Sequence, residues 1–203
     1  MSGSAMSAPS PRRAEVGRTT GETEVKVTLD LDGEGRAEIE TGIGFLDHML
    51  TSLAKHARFD LRLACQGDLE IDDHHTVEDC ALALGQALDR ALGERRGIAR
   101  FGSAHAPLDE ALARAVVDLS GRPCAVIELG LVREMLGELA CENIPHFFAS
   151  LATAGRLALH LDVLRGANDH HRAEAAFKAA ALALRQAVRA DGSGQVPSTK
   201  GVL

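Results

Sequence analysis

Apolar side chains occupy every second position at Val25, Val27, Leu29 and Leu31, the chain turns at Asp32-Gly33, and alternation resumes through Ala37 and Ile39. Period-two patterning around an Asp-Gly pair predicts a β-hairpin with one face of each strand against a core. From Phe45 to Lys55 the spacing becomes helical, and Phe59, Leu61, Leu63 and Cys65 then alternate with polar residues as in a half-buried strand. Val77, Cys80, Ala81, Leu84, Ala87 and Leu88 predict a helix over about 75–92 that stops at Gly93.

The second half runs through the same order. Ala115 to Leu119, a turn at Ser120-Gly121 and Ala125 to Leu129 predict another hairpin. A helix near 146–155 follows, then a strand through Leu157, Leu159, Leu161 and Val163, then a helix with Ala176, Phe177, Ala180 and Leu184 on its apolar side. Single residues match too: His48 with His146, Ser52-Leu53-Ala54 with Ser150-Leu151-Ala152, at an offset of 98 that falls to 96 after a two-residue gap. This is an internal duplication. The expectation is an α+β fold of two tandem β-β-α-β-α repeats, residues 15–105 and 106–203, packed about a pseudo-two-fold axis with helices on one face of the sheets. Residues 1–14, rich in Ser, Ala and Pro, read as a disordered tail because they offer little to bury.

Composition narrows the class. A chain of 203 residues can bury a sizeable core, and a net charge of -7 weighs against a nucleic-acid partner, so any phosphate must be met by local arginines. Cys65, Cys80, Cys124 and Cys141 lack C-x-x-C spacing and read as reduced core residues of a cytoplasmic protein. No apolar run has the length of a membrane span and the N-terminus has no apolar signal core, so neither a membrane nor secretion is expected.

The duplication carries chemistry. Asp73-His74-His75-x-x-Glu78 recurs as Asp169-His170-His171-x-x-Glu174. Mixed imidazole and carboxylate donors suit first-row divalent metals. Each motif opens a helix, where residues four apart share a face, so His74 with Glu78 and His170 with Glu174 can each pinch one ion. His75 and His171 are turned by roughly 100° from those faces, toward a second ion or another subunit. A lone His-His pair would read as exposed or capping; its repetition at identical spacing decides for metal. The equivalence of His48 and His146 adds them, giving a pool of His48, His74, His75, Glu78, His146, His170, His171 and Glu174. These donors alone equally permit a di-metal hydrolase, which would activate water, or a non-catalytic metal-storage protein.

These motifs, with Arg18-Thr-Thr-Gly-Glu-Thr23, Gly42-Ile-Gly-Phe-Leu-Asp-His-Met-Leu50, Pro107-Leu-Asp-Glu-Ala111, Asp118-Leu-Ser-Gly-Arg-Pro123 and Pro197-Ser-Thr-Lys-Gly201, occur in an order that resembles the imidazoleglycerol-phosphate dehydratase family from about Arg18 to Leu203. Ala57 departs from the glycine common in that family and touches no candidate ligand. The resemblance implies a fold of the ribosomal protein S5 domain 2 type. It implies a hydro-lyase of histidine biosynthesis that converts imidazole glycerol phosphate to imidazole acetol phosphate with two Mn²⁺ per active site. All eight pooled residues fall on the family's metal positions. Its substrate-contacting positions are Glu22, His48, Arg100, Arg122, Lys178, Ser198 and Lys200, of which Arg100, Arg122, Ser198 and Lys200 match the phosphate grip. The hydrogen to be lost lies beside a hydroxyl and is not acidic, so ions on both ring nitrogens would hold the ring as an imidazolate that helps expel the hydroxyl. Glu22 is the first choice to move protons, with Glu174 behind it. The resemblance further implies a homo-oligomer of 24 subunits built from trimers.

Overall fold

The computed structural model describes residues 12–201 and Leu203. Among the described residues, ten strands and four helices follow in two similar runs. The first contains β1 (Arg13–Thr19), β2 (Thr23–Asp30), β3 (Ala37–Glu40), α1 (Gly44–Ala57), β4 (Asp60–Gly67) and α2 (His74–Leu92). The second contains β5 (Phe101–Leu108), β6 (Ala111–Asp118), β7 (Cys124–Glu128), the short strands β8 (Met135–Leu136) and β9 (Leu139–Ala140), α3 (Asn143–Ala154), β10 (Ala158–Arg165) and α4 (Asp169–Ala187). The α+β class and the two tandem repeats are as expected.

Strand pairing departs from the predicted hairpins. The sheet orders are β1-β2-β4-β3 and β5-β6-β10-β7, so β2 and β3 are not neighbours, nor are β6 and β7. Instead β3 lies parallel to β4 across α1, and β7 parallel to β10 across α3. The Asp32-Gly33 pair makes no tight hairpin turn. Gly33 is there because a Cβ would stand 2.3 Å from the Asp60 backbone nitrogen, and the Asp60 carboxylate accepts hydrogen bonds from the backbone of Glu34 and Arg36 at 2.8 and 3.0 Å. The true hairpins are β1–β2 and β5–β6.

β1 and β5 are additions to the expected repeat. β1 buries only Ala14 and Val16 at an edge. β5 turns Gly102, Ala104 and Ala106 inward, because α4 passes so close that a Cβ at Gly102 would meet the Ala183 carbonyl oxygen at 1.9 Å. Small inward residues hide the alternation from sequence. β1 also takes Arg13 and Ala14 out of the expected 1–14 tail, whose residues 1–11 lie outside the described residues. β5 crosses the 105/106 boundary, so the second repeat starts before residue 106.

Each sheet is covered on one face: α2 lies on β1 and β2, α1 on β3, α4 on β5 and β6, and α3 on β7. The two helix layers then meet, α2 on α3 and α1 on α4, giving a four-layer β/α/α/β stack. Phe147, Phe148 and Phe177 fill its interior with ring centroids 4.5–5.5 Å apart. All four cysteines are free. Among the described residues no helix is long and apolar enough to cross a membrane.

Candidate metal centre

The helices start just beyond the carboxyl ends of the parallel strand pairs β3/β4 and β7/β10, so their first turns gather at one end of the stack. Because α1 packs on α4 and α2 on α3, donors of one repeat meet those of the other. His48 of α1 joins His170 and Glu174 of α4; His146 of α3 joins His74 and Glu78 of α2. In each group the donor atoms lie within 4.8 Å of one another. His48 Nε2 and His170 Nε2 are both 3.3 Å from Glu174 Oε2, and His146 Nε2 is 3.2 Å from Glu78 Oε1. Two imidazoles and a carboxylate converging on one point fit a first-row divalent ion and leave coordination positions open. His74 with Glu78 and His170 with Glu174 thus each fall in one group, and six of the eight pooled residues are gathered in two sets of three.

His75 and His171 join neither group. Their rings stand nearly perpendicular to those of His74 and His170, at 80° and 87°. His75 Nδ1 lies 3.0 Å from Asp68 Oδ2 and His171 Nδ1 2.7 Å from Glu110 Oε2, each hydrogen bond raising the ring's pKa. The His171 bond in turn holds Glu110 down at about 2. A carboxylate on Nδ1 fixes the tautomer and leaves Nε2 as a free donor, the usual support of a metal-binding histidine. Burial pushes the Glu174 carboxyl up, but the hydrogen bond and charge of Lys178, whose Nζ is 2.7 Å from Oε1, outweigh it and the net shift is downward. Sequence reasoning missed Asp68 and Asn143, whose side-chain oxygen is 3.0 Å from His74 Nδ1. It also left unexplained the aspartate of each motif. Asp73 accepts from the Ala140 backbone at 2.8 Å, and Asp169 from Val132 and Arg133 at 2.9 and 2.7 Å, so both clamp the 129–142 excursion.

Glu22 stands in the β1–β2 turn with Oε1 3.5 Å from His75 Nε2. The phosphate candidates gather elsewhere. Arg100 is engaged by Asp118 at 2.7 and 3.0 Å and by the Pro197 carbonyl at 2.8 Å, which brings the Ser198–Lys200 tail alongside. Arg122 follows Gly121, which abuts Leu203. This cluster lies where β10 begins, since Ala158 pairs with Asp118 and Cys124, whereas the motif of α4 follows its other end. The eight residues of β10 separate the two by about 23 Å.

Residues 41–184 match the family model described as imidazoleglycerol-phosphate dehydratase. The chain belongs to that family. It is 54% identical to the imidazoleglycerol-phosphate dehydratase of Kluyveromyces lactis over 95% of this chain and 97% of that protein. It is 64% identical to that of Phytophthora nicotianae over 95% of this chain, spanning only 42% of that longer relative. A crystal structure of the Pyrococcus furiosus dehydratase superposes with a TM-score of 0.81 at 38% identity, covering 93% of this chain and 100% of that one. Membership in the imidazoleglycerol-phosphate dehydratase family makes the chain a hydro-lyase, and its two His/Glu groups are compatible with bound metal.

Proposed function

We propose that the chain dehydrates imidazole glycerol phosphate to imidazole acetol phosphate in histidine biosynthesis, in the cytoplasm, with two Mn²⁺ per active site. The observation that carries this reading is the pair of matching groups, His48, His170 and Glu174 beside His74, Glu78 and His146, on a chain of this family. Ions held by these two groups would supply electrostatic stabilisation of charge developing on the imidazole ring. Glu22 is the proton carrier favoured by geometry: its carboxylate faces His75 Nε2 and is about half exposed, while Glu174 is occupied by Lys178, His48 and His170. Arg100, Arg122, Ser198 and Lys200 hold the phosphate, with guanidinium forks matched to its oxygens. A substrate made of one imidazole ring, a three-carbon chain and a phosphate is too short to span the length of β10, so the phosphate grip at one active site comes from a neighbouring copy. His75 and His171, which join neither group within one chain, would likewise complete metal groups across that interface.

The deciding assay is dehydration of the substrate by chelator-treated protein before and after Mn²⁺ is added. Turnover should vanish with the metal and return with Mn²⁺ better than with Mg²⁺, since imidazole sites disfavour the harder ion. Full turnover by protein without detectable transition metal would overturn the di-metal reading.

A further inference from the structure

The internal duplication lets each metal group serve as a control for the other, and the comparison exposes two exchanges. The first is four residues beyond each motif glutamate. Position 178 in the second repeat is lysine, and its counterpart at 82, offset by 96, is leucine. Lys178 Nζ sits 2.7 Å from Glu174 Oε1, with side-chain exposures of only 18% and 13%. Among the described residues Glu78 has no cation in an ion pair except through His146. With neutral imidazoles, the Glu78 group therefore carries one net negative charge and the Glu174 group carries none. Low exposure limits the screening of Lys178.

The second exchange is three residues before each helix histidine. Asn143, before His146, accepts from His74 Nδ1 at 3.0 Å and so turns Nε2 toward Glu78. Its counterpart Phe45, offset by 98, presents a ring edge to His170 at 5.1 Å between centroids. Among the described residues no side chain bonds His170 Nδ1 in the place of Asn143. The second histidines do not offset this, because both His75 and His171 have a carboxylate on Nδ1.

Both exchanges act in the same direction. We propose that the two metal groups are unequal by construction: His74, Glu78 and His146 form the tight site that fills first, and His48, His170 and Glu174 the weak site, with Lys178 and the Asn143/Phe45 exchange setting the difference. The proposal rests on the di-metal reading above. A unit cation on the far oxygen of a ligand carboxylate opposes a divalent ion by an amount worth on the order of tenfold in affinity, and loss of an outer hydrogen bond to a ligating histidine typically costs about 10–100-fold. Filling in two steps gives the protein a half-loaded state over a range of metal concentrations.

The test is a Mn²⁺ titration of metal-free full-length protein, with free Mn²⁺ read by its electron paramagnetic resonance signal. The parent should bind one ion per chain tightly and a second at least about tenfold more weakly. His74→Ala should remove the tight step and His170→Ala the weak one. Lys178→Leu, which installs the first repeat's residue, should tighten the weak step by on the order of tenfold and leave the tight step in place as evidence of folding. Leu82→Lys should weaken the tight step, and Asn143→Ala should weaken it by about 10–100-fold. Two equivalent ions per chain in the parent, or a Lys178→Leu isotherm that superimposes on the parental one, would overturn the inequality. Absence of bound Mn²⁺ in every form would instead sink the di-metal reading, and the proposal with it.

Discussion

Glu110 on His171 and Asp68 on His75 do the same work with carboxylates drawn from different places, one from the β5–β6 turn and one from the loop after β4. Neither coordinates anything itself in the reading above, yet each commits an imidazole to one tautomer. Glu110→Ala should therefore lower the metal affinity of the group that His171 completes by about 10–100-fold; because it also removes the acceptor of the Ala167 and Asn168 backbone N–H groups, circular dichroism must show the fold retained. Isothermal titration with Mn²⁺ checks this, and parental affinity in the variant would show that His171 is no ligand. At this scale the approach of His74 to Glu78 and of His170 to Glu174 was legible, because helix periodicity alone puts positions four apart on one face. The partner of each pair was not. His48 meets the second motif, and His146 the first, only because helices of different repeats pack together. Asn143 and Asp68 carry no local sequence pattern that distinguishes them from other polar residues.

Helices were readable from sequence because their apolar spacing is set by a face that must be buried whatever lies opposite. Strand partners depend on the other strands, and here the Asp32-Gly33 signal misled. Asp60, at the start of β4, fastens the 32–36 segment through the Glu34 and Arg36 backbone and the Arg36 guanidinium, and so sends the chain past β4 to the far edge of the sheet. The Arg36 side chain, with the backbone donors of Arg36 and Glu34, holds the Asp60 carboxyl well below its ordinary range. A carboxyl with a lower pKa folded than unfolded stabilises the fold fully above its unfolded value of about 3.9, and loses that contribution as pH falls through the folded one. Asp60→Asn should thus cost about 1–2 kcal/mol at neutral pH. The gap between variant and parent should begin to narrow below roughly pH 4 and close only as the pH passes the depressed folded value. Urea unfolding of both at pH 7 and pH 3 measures it; a gap that widens in acid would mean that the charge of Asp60 is not what fastens the segment.

One chain holds its metal groups and Glu22 at one end of the stack and Arg100, Arg122, Ser198 and Lys200 at the other. It also leaves the Nε2 atoms of His75 and His171 free of both groups. A substrate smaller than β10 is long needs both ends at once, and two outward donors need a partner, so these features are met together if copies of the chain associate through metal. Whatever binds only the assembled state stabilises it by mass action, which makes assembly a function of metal concentration. We expect metal-free protein to be a small species, trimeric by the family resemblance, and Mn²⁺-loaded protein to approach 24 chains. Gel filtration with light scattering on the two forms tests this, and His171→Ala should shift the loaded form back toward the small species without unfolding it. That variant also separates two causes of a small particle. If it assembles like the parent while binding less metal, His171 ligates within its own chain after rearrangement; if it stays small, the histidine crosses the interface. A monomer in both conditions with full metal occupancy would place every ligand in a single subunit and leave the distant arginines without a substrate to hold.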